Sequence, residues 1–262
     1  MPTPAAVRVL EHELVCYRRV WKGSVVSSFL TPVLFLVAMG LGLGSYVDKG
    51  HGGAGAAALG GASYLVFLVP GLLAATAAEV AASESTYPVM GGFKWHRSFH
   101  AAVATPIRAA DIVVGWLAWE AFRLVLTTTV FLGISVLFGA VRTPLAMLAV
   151  PAAVLTGLAF GAPITAYTAS RKSEASFAAL LRFGVLPMFL FSGTFFPISQ
   201  LPAAIRPLAY ATPLWHGVDL CRRLALGGIS PERALVHVAY LSTFVVVGAL
   251  VAARIFARRL EQ

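Results

Sequence analysis

The chain has 262 residues, of which 58% are hydrophobic and 12% charged, with a net charge of +9. A soluble domain carries about 25% charged residues, so the two soluble domains that length alone would allow are excluded. No polar block is long enough to fold as a catalytic domain. The basic excess reads as Lys and Arg retained in cytoplasmic loops, and no nucleic-acid partner is expected. In chain order, Thr3-Pro4 supplies a cap and a first helical position. Val7, Leu10, Leu14, Tyr17 and Trp21 then recur at helical spacing, while Arg8, Glu11, His12, Arg18 and Lys22 lie largely elsewhere. This pattern predicts an amphipathic helix over 4–22, either lying along a membrane surface or packed on other protein.

Beyond it, charge vanishes from long runs. Residues 24–44, 50–78, 124–141, 143–170, 183–205 and 234–253 contain no Asp, Glu, Lys or Arg. A hydrocarbon core needs about 20 mostly apolar residues as helix. The expectation is an all-α membrane protein with six transmembrane helices at 25–47, 62–83, 109–138, 144–169, 178–196 and 234–256. A Gly- and Ala-rich loop over 48–61 joins the first two, and a short loop with Arg142 joins the third and fourth. Lys and Arg number twelve in the N-terminal segment, the second and fourth breaks and the tail, against six on the other side. Both termini are therefore expected in the cytoplasm. That topology puts Cys16 and Cys221 on opposite sides of the bilayer, so no internal disulfide is expected.

Two breaks are too elaborate for simple connections. The segment 85–108 has about 25 residues where a few would join two spans. Tyr87, Phe93, Lys94, Trp95, His96 and Arg97 make it basic and aromatic, which suits anchoring in headgroups or docking a soluble partner, and its length favours docking. The segment 197–233 contains Pro197, Pro202, Pro207, Pro213 and Pro231 among apolar residues. Short helices dipping into the outer half of the membrane fit this composition, because irregular backbone at that depth must be buried or line a cavity.

Charged residues at membrane depth are costly and often functional. Glu120 and Arg123 are three apart in the third span and share a face. They are expected to form a structural ion pair holding this helix to a neighbour, or to line a pathway. His237, with no acid on its own span, reads as a hydrogen-bonded packing residue rather than a proton relay. His96 and His100 have a helical zinc spacing but no third ligand, so no metal is expected. Gly40, Gly42 and Gly44 end a span rather than open a helix after a strand, which excludes a dinucleotide fingerprint.

The order and spacing of several fragments resemble the membrane subunit of type-2 ATP-binding-cassette (ABC) exporters, in the branch of nodulation-factor and daunorubicin export permeases. The fragments are Glu84-Ser-Thr-Tyr-Pro88, Lys94-Trp95, Ala104-Thr-Pro-Ile-Arg108 with Asp111, Pro187-Met-Phe-Leu-Phe-Ser-Gly-Thr-Phe-Phe-Pro197, Leu201-Pro202 and Thr212-Pro-Leu-Trp-His-Gly217. The chain departs from the family at Gly115-Trp116, where a charged residue usually follows the glycine. The resemblance implies an N-terminal interfacial helix, a cytoplasmic coupling helix between spans two and three, and short re-entrant helices between spans five and six. Ser192, Gly193, Pro197, Pro202 and Pro213 are then expected in the re-entrant gate. It also implies a second permease subunit, identical or paralogous, and a separate ABC ATPase subunit carrying ATP and Mg, since this chain has no phosphate loop. The implied cargo is amphiphilic or hydrophobic, such as a lipid-linked saccharide, a lipid or a drug-like molecule, and the implied location is the inner or plasma membrane. Two rival classes stay open. An intramembrane serine protease would use Ser135 or Ser192 with His237, and an ion-coupled secondary transporter would need no ATPase.

Overall fold

The computed structural model describes residues 4–44, 63–141 and 143–260. The expected loop over 48–61, the end of span one and Arg142 lie outside them. Regular structure among the described residues is helical throughout.

Helix α1 (Ala5–Phe35) runs on without a break into a π-helical stretch, Leu36–Leu43. The sequence reading split this region at 23–24 into a surface helix and a span. The two are one helical run instead, because a single Gly23 costs a helix only about 1 kcal/mol and nothing else at that point stops the ladder. Leu10, Leu14 and Tyr17 of the expected stripe pack with Val9 on the third expected span, α5 (Ala109–Leu137), whereas Val7 and Trp21 are exposed. Gly115 makes this crossing possible: a Cβ there would stand 2.6 Å from the Ala6 carbonyl oxygen and from Val9. The departure at Gly115-Trp116 is thus a packing feature, with Trp116 buried edge-on against Phe99.

Helix α2 (Tyr64–Glu84) is the central post. Its Ala-rich surface lets neighbours approach closely, which is how helices associate without a hydrophobic drive in lipid. It ends where Thr86 leaves helical geometry (φ −100°, ψ −94°), and Pro88 then opens α3 (Tyr87–Lys94). Arg97, at φ 53°, separates α3 from α4 (Ser98–Val103). At the start of α5 the Asp111 carboxylate accepts from the Arg108 backbone N–H at 3.1 Å, one half of a capping box, since an Arg side chain has no acceptor to complete it.

A 3-10 turn (Pro144–Leu148) leads into α6 (Ala149–Ala169). The fifth candidate span, α7 (Glu174–Phe191), is interrupted by a π-helical stretch at Leu180–Val185. It stops at Phe191 rather than 196, because the chain turns at Gly193 (φ 83°), a conformation open to glycine. After it come a 3-10 turn (Ile198–Gln200), α8 (Arg206–Tyr210), α9 (Pro213–Leu226) and α10 (Pro231–Leu260).

Among the described residues, five helical stretches are long and apolar enough to cross a bilayer: Tyr64–Lys94, Ala109–Leu137, Pro144–Ala169, Glu174–Phe191 and Pro231–Leu260. Six were expected; α1 is helical at the remaining position but is not among the five. An 18-residue window of the Tyr64–Lys94 stretch is 78% buried within the chain and that of α7 only 11%, so α7 leaves its surface to lipid or to another subunit. One apolar core surrounds α2, α6 and α9. A second gathers α1, α3, α4, the start of α5 and the end of α10.

Candidate functional site

The segment between α2 and α5 is a rigid aromatic plinth with a polar rim. Phe93 is buried, its ring 5.0 Å from Phe99 and 4.6 Å from Phe256 of α10. Gly92 allows this, since any Cβ there would collide with the Phe99 ring. Arg259 stacks its guanidinium 4.1 Å over Phe93 and donates to the carbonyls of Ala169 and Arg171 at 2.8 Å. The short helices, α6 and the end of α10 are thereby locked together.

Five of the six expected coupling residues form the rim: Tyr87 and Trp95 are 45% and 50% exposed, and Lys94, His96 and Arg97 also face out. Phe93 belongs to the plinth instead. Lys94 pairs with Glu174 at 2.9 Å, tying the rim to the start of α7. His96 and His100 do not share one helix, because the left-handed Arg97 lies between them. His100 sits edge-on to Phe93, and burial, then Arg97 and Arg259, push its imidazole below the ordinary 6.5. Beside the rim, a cleft of about 710 Å³ opens between α1 and α3, with His12, Glu13, Tyr87, Trp95 and His96 on its walls.

Deeper in, Glu120 and Arg123 turn to different neighbours. Arg123 pairs with Glu84 of α2 at 3.1 Å and lies over the Tyr17 ring at 4.9 Å. Glu120 is fully buried and accepts from the Ser85 hydroxyl at 3.3 Å. It fills the space over Gly161 of α6, where a Cβ would collide with its carboxyl group. Thr168 closes the cluster by donating to the Ser85 carbonyl at 2.7 Å. These contacts join α1, α2, α5 and α6 just behind the plinth.

At the opposite end, α9 holds the turn that follows α7. Arg222 donates to the carbonyls of Gly193 at 2.9 Å, Phe67 at 3.3 Å and Thr194 at 3.4 Å. Its guanidinium lies 3.8 Å over the Phe67 ring. Ser192 is buried and shares a 2.9 Å hydrogen bond with Thr194. Pro213 opens α9 beneath a Thr212 cap that accepts from the Trp215 N–H. Pro197 opens the 3-10 turn and Pro202 is exposed. So Gly193 meets Arg222 directly and Ser192 is tied to Thr194 beside it, while Pro197, Pro202 and Pro213 shape the chain around them.

Sequence reasoning missed Arg222, because its partners are backbone carbonyls. It also found no acid for His237, which has one on α9. His237 Nε2–H donates to Asp219 at 3.1 Å, and its Nδ1 meets His216 Nδ1 at 2.9 Å. Arg223 holds the same carboxylate at 2.6 Å. With both ring nitrogens engaged, with Ser192 bound to Thr194 and with Ser135 donating to the Phe131 carbonyl, no serine–histidine pair exists among the described residues.

The sequence profile of the family described as ABC-2 type transporter matches residues 6–226. The chain belongs to that family. Nodulation protein J of Rhizobium leguminosarum bv. viciae is 32% identical over 244 residues, covering 92% of this chain and 90% of the relative. Nodulation protein J of Rhizobium meliloti (strain 1021) is 28% identical over 254 residues, covering 97% and 93%. With its apolar helices, this ABC-2 chain is a multi-pass membrane permease, and its family role is that of an exporter's non-catalytic membrane subunit. The family match covers the segment between α2 and α5, the cluster around Glu120 and the Arg222 turn, but stops short of α10, which supplies Phe256 and Arg259 to the plinth.

Proposed function

We propose that this permease carries an amphiphilic or hydrophobic substrate, in the class of a lipid-linked saccharide, a lipid or a drug-like molecule, out across the inner or plasma membrane. Both termini lie in the cytoplasm in this reading. A separate ABC ATPase binds ATP and Mg and docks on the rim of Tyr87, Lys94, Trp95, His96 and Arg97. A second permease subunit completes the pathway against the exposed surface of α7. The observation that carries the reading is the split within the coupling segment, with exposed aromatic and basic side chains mounted on a buried cluster that reaches α6 and α10.

Force delivered to the rim has a short route inward. Displacement of α3 pushes Phe93 on Phe256 and draws on the Arg259 contacts to the end of α6. Through Thr86 it also bears on α2, and from there on α5 through Glu84 and Arg123. Nucleotide can drive transport only if it favours one of two arrangements of these helices. At the far end, release of the carbonyls held by Arg222 would free the turn at Ser192 and Gly193 as the gate.

The test is co-purification of the permease with its ATPase. A Lys94→Glu, Trp95→Ala double variant should insert normally yet lose the ATPase. Undiminished co-purification would reject the docking role of the rim.

A further inference from the structure

Helices α6 and α10 run side by side, and their backbones come closest where Gly248 faces Pro163. A Cβ on Gly248 would stand 2.6 Å from the Pro163 nitrogen, so no side chain fits between the helices there. Around that contact the helices enclose an apolar groove of about 470 Å³, walled by Ala166, Tyr167, Phe244, Val247 and Val251. It extends from Thr243 to Ile255. Twelve residues of helix correspond to about 18 Å, slightly more than half of a ~30 Å hydrocarbon core. Its depth therefore matches one leaflet.

The groove ends in positive charge. Arg171 lies 4.4 Å over the ring of Tyr167, which itself lines the groove. Arg258 continues the α10 face of Val247, Val251 and Ile255 at intervals of four, four and three residues, and Arg254 stands one turn before it. All three arginines are exposed, and among the described residues none has a carboxylate within 4.0 Å. The Arg259 bonds to the carbonyls of Ala169 and Arg171 fix the chain so that Arg171 sits at this mouth.

An apolar slot of one-leaflet depth, opening beneath unpaired guanidinium groups at the basic bilayer face, has the chemistry of a phospholipid seat. Planar guanidinium forks suit phosphate oxygens, and basic pockets between spans on the cytoplasmic side recognise anionic headgroups. We propose that this groove binds one anionic phospholipid of the inner leaflet, with an acyl chain along Val247 and Val251 and the phosphodiester among Arg171, Arg254 and Arg258. The groove is walled by none of the rim residues, and its place in the inner leaflet rests on the cytoplasmic orientation of the termini proposed above.

The test uses the full-length chain, purified, delipidated and loaded with phosphatidylglycerol or phosphatidylcholine, with bound lipid counted by native mass spectrometry. Phosphatidylglycerol should be retained at about one copy per chain and at least tenfold better than phosphatidylcholine. Neutralising two arginines in Arg171→Gln, Arg258→Gln should cost roughly 25-fold in retention, about fivefold per charge. Val247→Trp, which fills the slot and leaves every charge in place, should also lose the lipid, whereas Arg171→Lys should keep most of it. Inorganic phosphate should not compete. Equal retention of the two lipids would overturn the proposal, as would competition by inorganic phosphate. So would a double-glutamine variant that keeps phosphatidylglycerol but loses the ATPase, since the basic cluster would then serve a protein.

Discussion

At the plinth, Arg259 is held by an aromatic face and two helix-end carbonyls, and the aromatic rings around it fill the space between short helices. At the far end, Arg222 also pairs an aromatic face with carbonyls, but two of its three carbonyls, those of Gly193 and Thr194, belong to a turn with almost no regular structure, and the third, of Phe67, anchors that turn to α2. The same side-chain chemistry therefore produces two mechanical elements. One fuses helices into a body that transmits force. The other fastens a loop that would otherwise lack partners for its backbone groups.

The contrast is most sharply tested by paired substitutions within one segment. Phe93→Ala should remove the centre of the plinth and lower stability by about 3–5 kcal/mol, the usual cost of emptying a buried aromatic site. A thermal midpoint in detergent equal to wild type would show that the plinth is not packed as described. Arg222→Leu should follow, at about 3 kcal/mol, because burying carbonyls without donors costs about 1–3 kcal/mol each and rearrangement recovers part of the loss. Its signature is early proteolysis in the turn around Gly193, and unchanged cleavage kinetics there would remove the fastening role.

Trp95→Ala, two residues from Phe93, should change stability by no more than about 0.5 kcal/mol, as exposed substitutions do. It should still weaken ATPase co-purification, and a loss of stability matching Phe93→Ala would erase the distinction between rim and plinth. The smallest effect concerns pH. His100 in the folded chain binds its proton less readily than an ordinary histidine at 6.5. Its contribution is thus complete above that value and is lost as the pH falls below it. The thermal midpoint of wild type should drop more between pH 7.5 and pH 5.5 than that of His100→Gln, and equal drops would exclude His100 as the source.

The helical membrane architecture was legible because lipid leaves the sequence few options. The absence of charge marked the apolar stretches, and prolines marked the broken segment before α10. The continuity of α1 was not legible, since Gly23 reads as a boundary and is merely tolerated. Side-chain exposure was legible where local pattern sets it, as with Lys94 and Trp95. Side-chain roles were lost where a partner comes from another helix: Phe93 went to the plinth, Arg123 found Glu84 rather than its near neighbour Glu120, and His237 found Asp219. Arg222 left no trace because its acceptors are main-chain atoms, which every residue carries.

The backbone-close meeting of Gly248 with Pro163 restricts how the permease can change shape. Two helices touching without an intervening side chain leave little room to roll on one another at that level, which favours α6 and α10 moving together. Any swing that alternately opens the two sides has to be taken up elsewhere, and the sparsely covered α7 is the member with least holding it in place.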